Sequence, residues 1–207
     1  MTGKTHVVCS VAAFSVLGLT NLKGIDVLGT TINPMVAFVP VAIGAWLPDM
    51  DIAQSRLGSK LKIFSKHLKH RGFTHTLVVP AILTSVALTM NNPVTAGVVI
   101  LLVSWLAWLL YGMKKGLLCA VIFLALSFLL PNVGASIVFG LMFGWLFHII
   151  EDMFNSKGCP IFWPLTKGRV RVPIINFIKT RHWTEAVFMF VWVGGCLAWV
   201  FLKRVGL

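Results

Sequence analysis

Seven apolar runs, at about residues 6–20, 34–48, 75–90, 94–111, 116–130, 134–152 and 184–202, take up most of this 207-residue chain. About 20 consecutive apolar residues cross the hydrocarbon core of a bilayer, and backbone groups in lipid must be satisfied within their own segment. The runs therefore predict an all-α fold: a polytopic membrane bundle of about six to seven apolar helices, forming one domain over residues 1–207. The first three runs are short for full spans and suit tilted or interfacial helices, or a locally thinned bilayer. Only 12% of the residues are charged, where a soluble domain carries roughly a quarter. Mean hydropathy is +0.89. Pro34, Pro93 and Pro131 fall near the starts of runs, where a missing N–H costs least. Pro40 and Pro80 are expected inside helices, as kinks.

A net charge of +12 raises nucleic acid as a partner, but the basic residues lie between apolar runs and not along one soluble domain. Membrane topology and anionic lipid headgroups account for that placement more simply, so lipid is expected as partner and nucleic acid is not. Suppose the N-terminus is cytoplasmic and each run crosses once. Lys4, the 49–74 loop, the 112–115 turn and the 153–183 loop then share the cytoplasmic face. They hold every Lys and Arg except Lys23, Lys203 and Arg204. This asymmetry predicts a multi-pass protein of the inner cell membrane, with the last run as the exception because Lys203 and Arg204 would lie outside. Cys9, Cys119, Cys159 and Cys196 form no CxxC pair and read as small buried hydrophobes. The N-terminus, with a thin basic region and no clear cleavage site, does not read as a signal peptide.

The same parity gathers most of the chain's histidines and acids at one level. His6 opens the first run, and Asp49 and Asp51 in "LPDMD" close the second. His70 and His75 in "HRGFTH" open the third, while His148, Glu151 and Asp152 in "FHIIED" close the sixth. Ionisable groups at membrane depth are costly and mark function by default. Gly140, Gly144, His148 and Asp152 recur every four residues and form one stripe. Its glycines admit a close helix neighbour, and its end places an imidazole one turn from a carboxylate, a pair able to hold one cation. Imidazole with carboxylate and no nearby thiolate suits a divalent metal: Zn²⁺ first, with Mn²⁺ or Fe²⁺ also accommodated. Such an ion compensates the acids at a bilayer edge. Arg71 would repel it, and is expected to brace a ligand or contact a phosphate. His67 and His182, among basic residues in loops, are left out of the site.

At these residues the chain resembles the YdjM-type family of predicted membrane-bound, metal-dependent hydrolases. The resemblance is carried by "GKTH" (3–6), "LPDMD" (47–51), "HRGFTH" (70–75) and "HIIEDMFNSKGCPIFWP" (148–164), in order and spacing. It implies a metal site built on His6, Asp49, Asp51, His70, His75, His148 and Asp152. Asn155 stands where the pattern has threonine, and Leu165 where it has an aromatic residue. The HxxxD helix is also similar, more distantly, to zinc-dependent phospholipase C. The expected function is hydrolysis of a phosphoester or related bond in a membrane lipid, with His6, Asp49, His70, His75, His148 and Asp152 as metal ligands. Asp51, or whichever acid is not a ligand, is expected to take the proton of the attacking water. Arg71, Arg169 and Arg171 are the expected contacts to the anionic headgroup. The competing class is a metal carrier or a protein with a structural metal. A carrier would place its acids near the bilayer midplane, and a structural ion would have a closed ligand shell. No GxSxG elbow or P-loop offers another chemistry.

Overall fold

The computed structural model describes residues 1–52, 71–90, 132–155, 157–172 and 182–206, with isolated positions between 55 and 66 and between 92 and 125. The runs at 94–111 and 116–130, apart from such isolated positions, and His67 and His70 lie outside the described residues.

Helix α1 (Gly3–Thr20) starts where the Thr2 hydroxyl accepts from the Thr5 N–H at 3.4 Å, an N-cap that satisfies one of the orphan donors of a helix start. The helix begins before the apolar run does, so His6 sits a full turn inside it. Strands β1 (Ile25–Val27) and β2 (Thr30–Ile32) then pair antiparallel, with Ile25 opposite Ile32. Leu28 and Gly29 both have positive φ, 50° and 80°, the backbone a two-residue hairpin turn requires. This hairpin departs from the all-helical expectation. Ile32 is buried at 1% and joins the core, so the short strands pack as part of the core.

Asn33 caps α2 (Pro34–Trp46) by accepting from Met35 N and Val36 N, with Pro34 in the first turn and Pro40 inside. The helix tightens into a 3-10 turn over Leu47–Asp51. A second 3-10 turn, Phe73–His75, precedes α3 (Val78–Thr89). His75 therefore lies before that helix and does not open it. Pro80 falls in the first turn of α3, where no N–H is needed, and is no interior kink. Helices α4 (Val133–Met153) and α5 (Trp183–Val205) complete the described elements.

Helices α1, α4 and α5 are long and apolar enough to cross a membrane. The 21 residues of α4 rise about 31 Å at 1.5 Å each, the thickness of a hydrocarbon core. Among the described residues these three are the candidate spans and α3 is a shorter apolar helix; the expected count of six or seven also rests on the runs at 94–111 and 116–130, largely outside the described residues.

Side-chain pairings give the helix directions. Gly3 meets Trp46 while Gly18 meets Phe38, so α1 and α2 are antiparallel. Gly140 lies on Ala37 and Gly144 on Val41, so α2 and α4 run parallel. Gly134 faces Met90, and Trp145 Nε1 donates to Thr74 O at 2.7 Å, so α3 opposes α4. One end of the bundle thus collects the starts of α1, α3 and α5 and the ends of α2 and α4. Glycine is required at the α2–α4 contact: a Cβ on Gly44 would sit 2.2 Å from Leu141 O, and one on Gly140 2.5 Å from Ala37 O. The backbones touch, as small residues allow in membrane bundles.

Helix α5 lies along α1 in the same direction. Trp192 Nε1 donates to Cys9 O at 3.1 Å, and Arg204 donates to Leu19 O at 3.3 Å. Its other face exposes Phe190, Val191, Trp199 and Phe201, a surface suited to lipid. The buried Glu185 accepts from Thr2 N and from Thr5 Oγ1, both at 2.5 Å. Replacing it by Ala removes the acceptor of both and leaves Thr2 N without its partner, and is expected to destabilise the docking of α5 by about 2 kcal/mol. Protease cleavage ahead of Trp183 should then accelerate in detergent, with Glu185→Gln milder.

Candidate metal centre

Among the described residues, the shared helix end brings three imidazoles and four carboxylates together in a buried cluster. His6, His75, His148 and Glu151 are 0% exposed, Asp51 and Asp152 3% and Asp49 9%. Four separate elements deliver them: the first turns of α1, the 3-10 turn after α2, the 3-10 turn before α3, and the last turns of α4.

Each imidazole is oriented through Nδ1. His148 Nδ1 lies 2.7 Å from Ala45 O. A carbonyl only accepts, so that nitrogen carries the proton and Nε2 is left with its lone pair. The Thr74 hydroxyl donates to Asp51 Oδ2 at 2.8 Å and so accepts from His75 Nδ1 at 3.0 Å. His6 Nδ1 donates to Glu151 Oε2 at 2.7 Å, and Ser10 Oγ donates to Glu151 Oε1 at 3.0 Å. Three Nε2 atoms remain. His148 Nε2 and His75 Nε2 face each other at 3.3 Å, and His6 Nε2 is buried with no hydrogen-bond partner. The rings of His6 and His148 stack with centroids 3.8 Å apart.

Two lone pairs aimed at each other in a dry interior repel unless a cation or a proton lies between them. The spacing is about what two imidazoles take on one tetrahedral ion with ordinary bonds of 2.0–2.1 Å. Carboxylates complete the donor set: Asp152 lies 3.5 Å from His6 Nε2 and 3.6 Å from His75 Nε2, and Asp49 lies 3.9 Å from His148 Nε2. Two overlapping triads, His6–His148–Asp152 and Asp49–His75–His148, each present ligand atoms within 4.8 Å of one another. The residues fit a divalent cation. Partners that fix the free nitrogen of a ligating histidine are the usual surroundings of such a centre.

The acids differ in their commitments. Asp51 Oδ2 accepts from Arg71 N at 3.0 Å as well as from Thr74. Asp152 is gripped by Arg71 Nη2 at 2.8 Å, while Arg71 Nη1 donates to Gly158 O at 3.2 Å. The backbone of Arg71 has φ 55°, a strained value for a residue with a side chain, and its Nε is buried without a partner. Asp49 has the most exposed carboxylate of the ion-paired acids, its side chain 13% accessible. Burial raises its pKa above the ordinary carboxylate value. The Cys159 thiol beside the cluster is pushed by burial to about 12, so it is a neutral packed group and no thiolate ligand.

Of the residues named from the sequence, the structure gathers His6, Asp49, Asp51, Arg71, His75, His148 and Asp152. Arg169 and Arg171 stand exposed on the 157–172 segment, and His70 lies outside the described residues. Sequence reasoning did not assign partners to the imidazoles. Ser10, one turn after His6 on the same helix face, carried a signal for its role; the Ala45 carbonyl carried none.

Fold and site together define a helical membrane protein with a buried imidazole–carboxylate centre where helix ends meet. The chain belongs to the YdjM family: the profile described as "YdjM inner membrane protein" matches residues 1–206. It is 32% identical over 193 residues to "Uncharacterized protein YvsG" of Bacillus subtilis, covering 91% of this chain and 88% of that protein. It is 30% identical over 162 residues to "Inner membrane protein YdjM" of Escherichia coli, covering 74% of this chain and 63% of that protein. The Shigella flexneri protein of the same name matches equally. No solved structure matches the chain.

Proposed function

We propose that this membrane protein is a metal-dependent hydrolase acting on a phosphoester or related bond of a membrane lipid, with its site facing the cytoplasm. The carrying observation is the convergence of three Nε2 atoms on imidazoles whose Nδ1 atoms are all committed elsewhere. His6, His75, His148 and Asp152 would hold a divalent ion, with Zn²⁺ suiting the donors best, and it would supply Lewis acidity toward a phosphoryl oxygen and a bound water. The chain's own residues do the rest. Glu151, Ala45 and the Thr74–Asp51 pair hold the imidazole tautomers, and Arg71 braces Asp152. Asp51, first named as proton acceptor, is occupied in holding Thr74 and Arg71. We therefore assign proton acceptance to Asp49, which has more solvent access. The Arg71 guanidinium is likewise committed, so headgroup contact falls to Arg169 and Arg171.

These roles separate experimentally. Protein purified in detergent without chelator should carry near-stoichiometric metal. Asp49→Asn should keep the metal and lose about 100-fold or more in phospholipid hydrolysis. Asp51→Asn should weaken metal affinity about 10–100-fold. Metal-free wild type would sink the reading. The burial of the cluster favours one other assignment, a structural ion in a closed shell. Bound metal with no hydrolysis of any phospholipid class, and a silent Asp49→Asn, would establish that instead.

A further inference from the structure

The segment from Lys157 to Arg171 has more surface than the headgroup contact assigned to Arg169 and Arg171 explains. Its base is tied down on several sides. Cys159 and Val170 exchange backbone hydrogen bonds at 2.9 and 2.8 Å, Leu77 N donates to Ile161 O at 3.0 Å, and Val172 N donates to Met153 O at 3.0 Å. Gly158, with φ 59°, permits the crossing: a Cβ there would lie 2.6 Å from Val170 O. The tip is apolar and open, with Leu165 88% exposed, Phe162 50% and Trp163 42%. Lys157, Lys167, Arg169 and Arg171 are exposed around it, and residues 157–172 contain no acid.

We infer that this loop is an anionic-phospholipid binding element, with Phe162, Trp163 and Leu165 inserted at the headgroup boundary and the four cations on lipid phosphates. Its depth supports lipid as the occupant. The loop follows directly from the end of α4 and is bonded to the start of α3, at the level where α1 and α5 also begin. With spans of this length that level is the edge of the hydrocarbon core. Aromatic residues belong at that boundary, and Lys and Arg beside it attract the anionic surface. Fixed attachment keeps the tip from folding back over its own apolar residues. The Phe73 ring, two residues before His75, meets Trp163 edge to face at 6.0 Å. A lipid held at the loop thus lies beside the turn that carries a cluster histidine. The inference deepens the lipid reading by naming an anionic phospholipid, yet it rests on the loop alone and survives if the cluster proves to hold no metal.

The test uses the full chain in nanodiscs. Competition of phosphatidylglycerol against phosphatidylcholine, read by native mass spectrometry, should show preferential retention of phosphatidylglycerol by the wild type. The Lys167→Gln/Arg169→Gln/Arg171→Gln variant should lose that preference roughly 100-fold at low salt, at about fivefold per cation. Lys23→Gln, at the far end of α1, should leave it unchanged. A nitrobenzoxadiazole dye on Leu165→Cys, with Cys119 and Cys196 replaced by Ser, should emit blue-shifted and be quenched by headgroup-level nitroxide lipids. A water-like dye spectrum, or an unaltered lipid preference in the triple variant, overturns the inference. A blue shift that appears only on adding a soluble protein fraction also overturns it, and assigns the tip to a protein partner.

Discussion

Gly144→Leu is expected to yield no folded protein in detergent, and Gly144→Ala to cost about 1–3 kcal/mol or more. A Cβ at Gly144 would lie 2.0 Å from Val41 O and 2.6 Å from Ala45 N. Those are backbone atoms, so relief requires moving α2 as a body, and overpacking of this kind is costly. The displaced helix carries the Ala45 carbonyl that orients His148. Metal content should therefore fall together with the melting temperature, although Gly144 is no ligand. Gly195→Ala on α5, where a Cβ meets nothing within 4 Å, should be neutral or slightly stabilising through helix propensity. A Gly144→Ala protein that melts like the wild type would show that the α2–α4 contact is looser than the structure has it.

The second large effect concerns the metal. His148 belongs to both overlapping triads, so His148→Ala should remove the bound ion where loss of a peripheral acid only weakens it. Elemental analysis should read near-stoichiometric metal in the wild type and none above background in the variant. His182→Asn, at an exposed position outside the cluster, should bind as the wild type does. Thermal unfolding gives a second readout independent of turnover. An ion that binds only the folded state stabilises by mass action. Chelator should lower the wild-type melting temperature and leave that of His148→Ala unchanged. Equal chelator responses in the two proteins would place the metal elsewhere.

Which parts of the site could be read in advance follows from range. His148 and Asp152 are four residues apart on one helix, and the glycines before them continue the same stripe, so periodicity alone revealed the pair. The hairpin at 25–32 escaped because its strands have three residues each, too few for an alternation to register. Pro80 was misplaced because the turn at Phe73–His75 delays the helix by three residues. The tie between Glu185 and Thr5 spans 180 residues, beyond any local pattern.

Hydropathy, charge placement and residue type were enough to establish a helical membrane protein with histidines and acids crowded at one level, since each of those is a property of a segment taken alone. The division of labour inside the crowd needed the assembled bundle. Which nitrogen of each histidine bears its proton, which acid is held by Arg71 and which stays open depend on partners from four different elements meeting within 4 Å. No segment carries that information until the glycines of α2 and α4 let the two backbones touch.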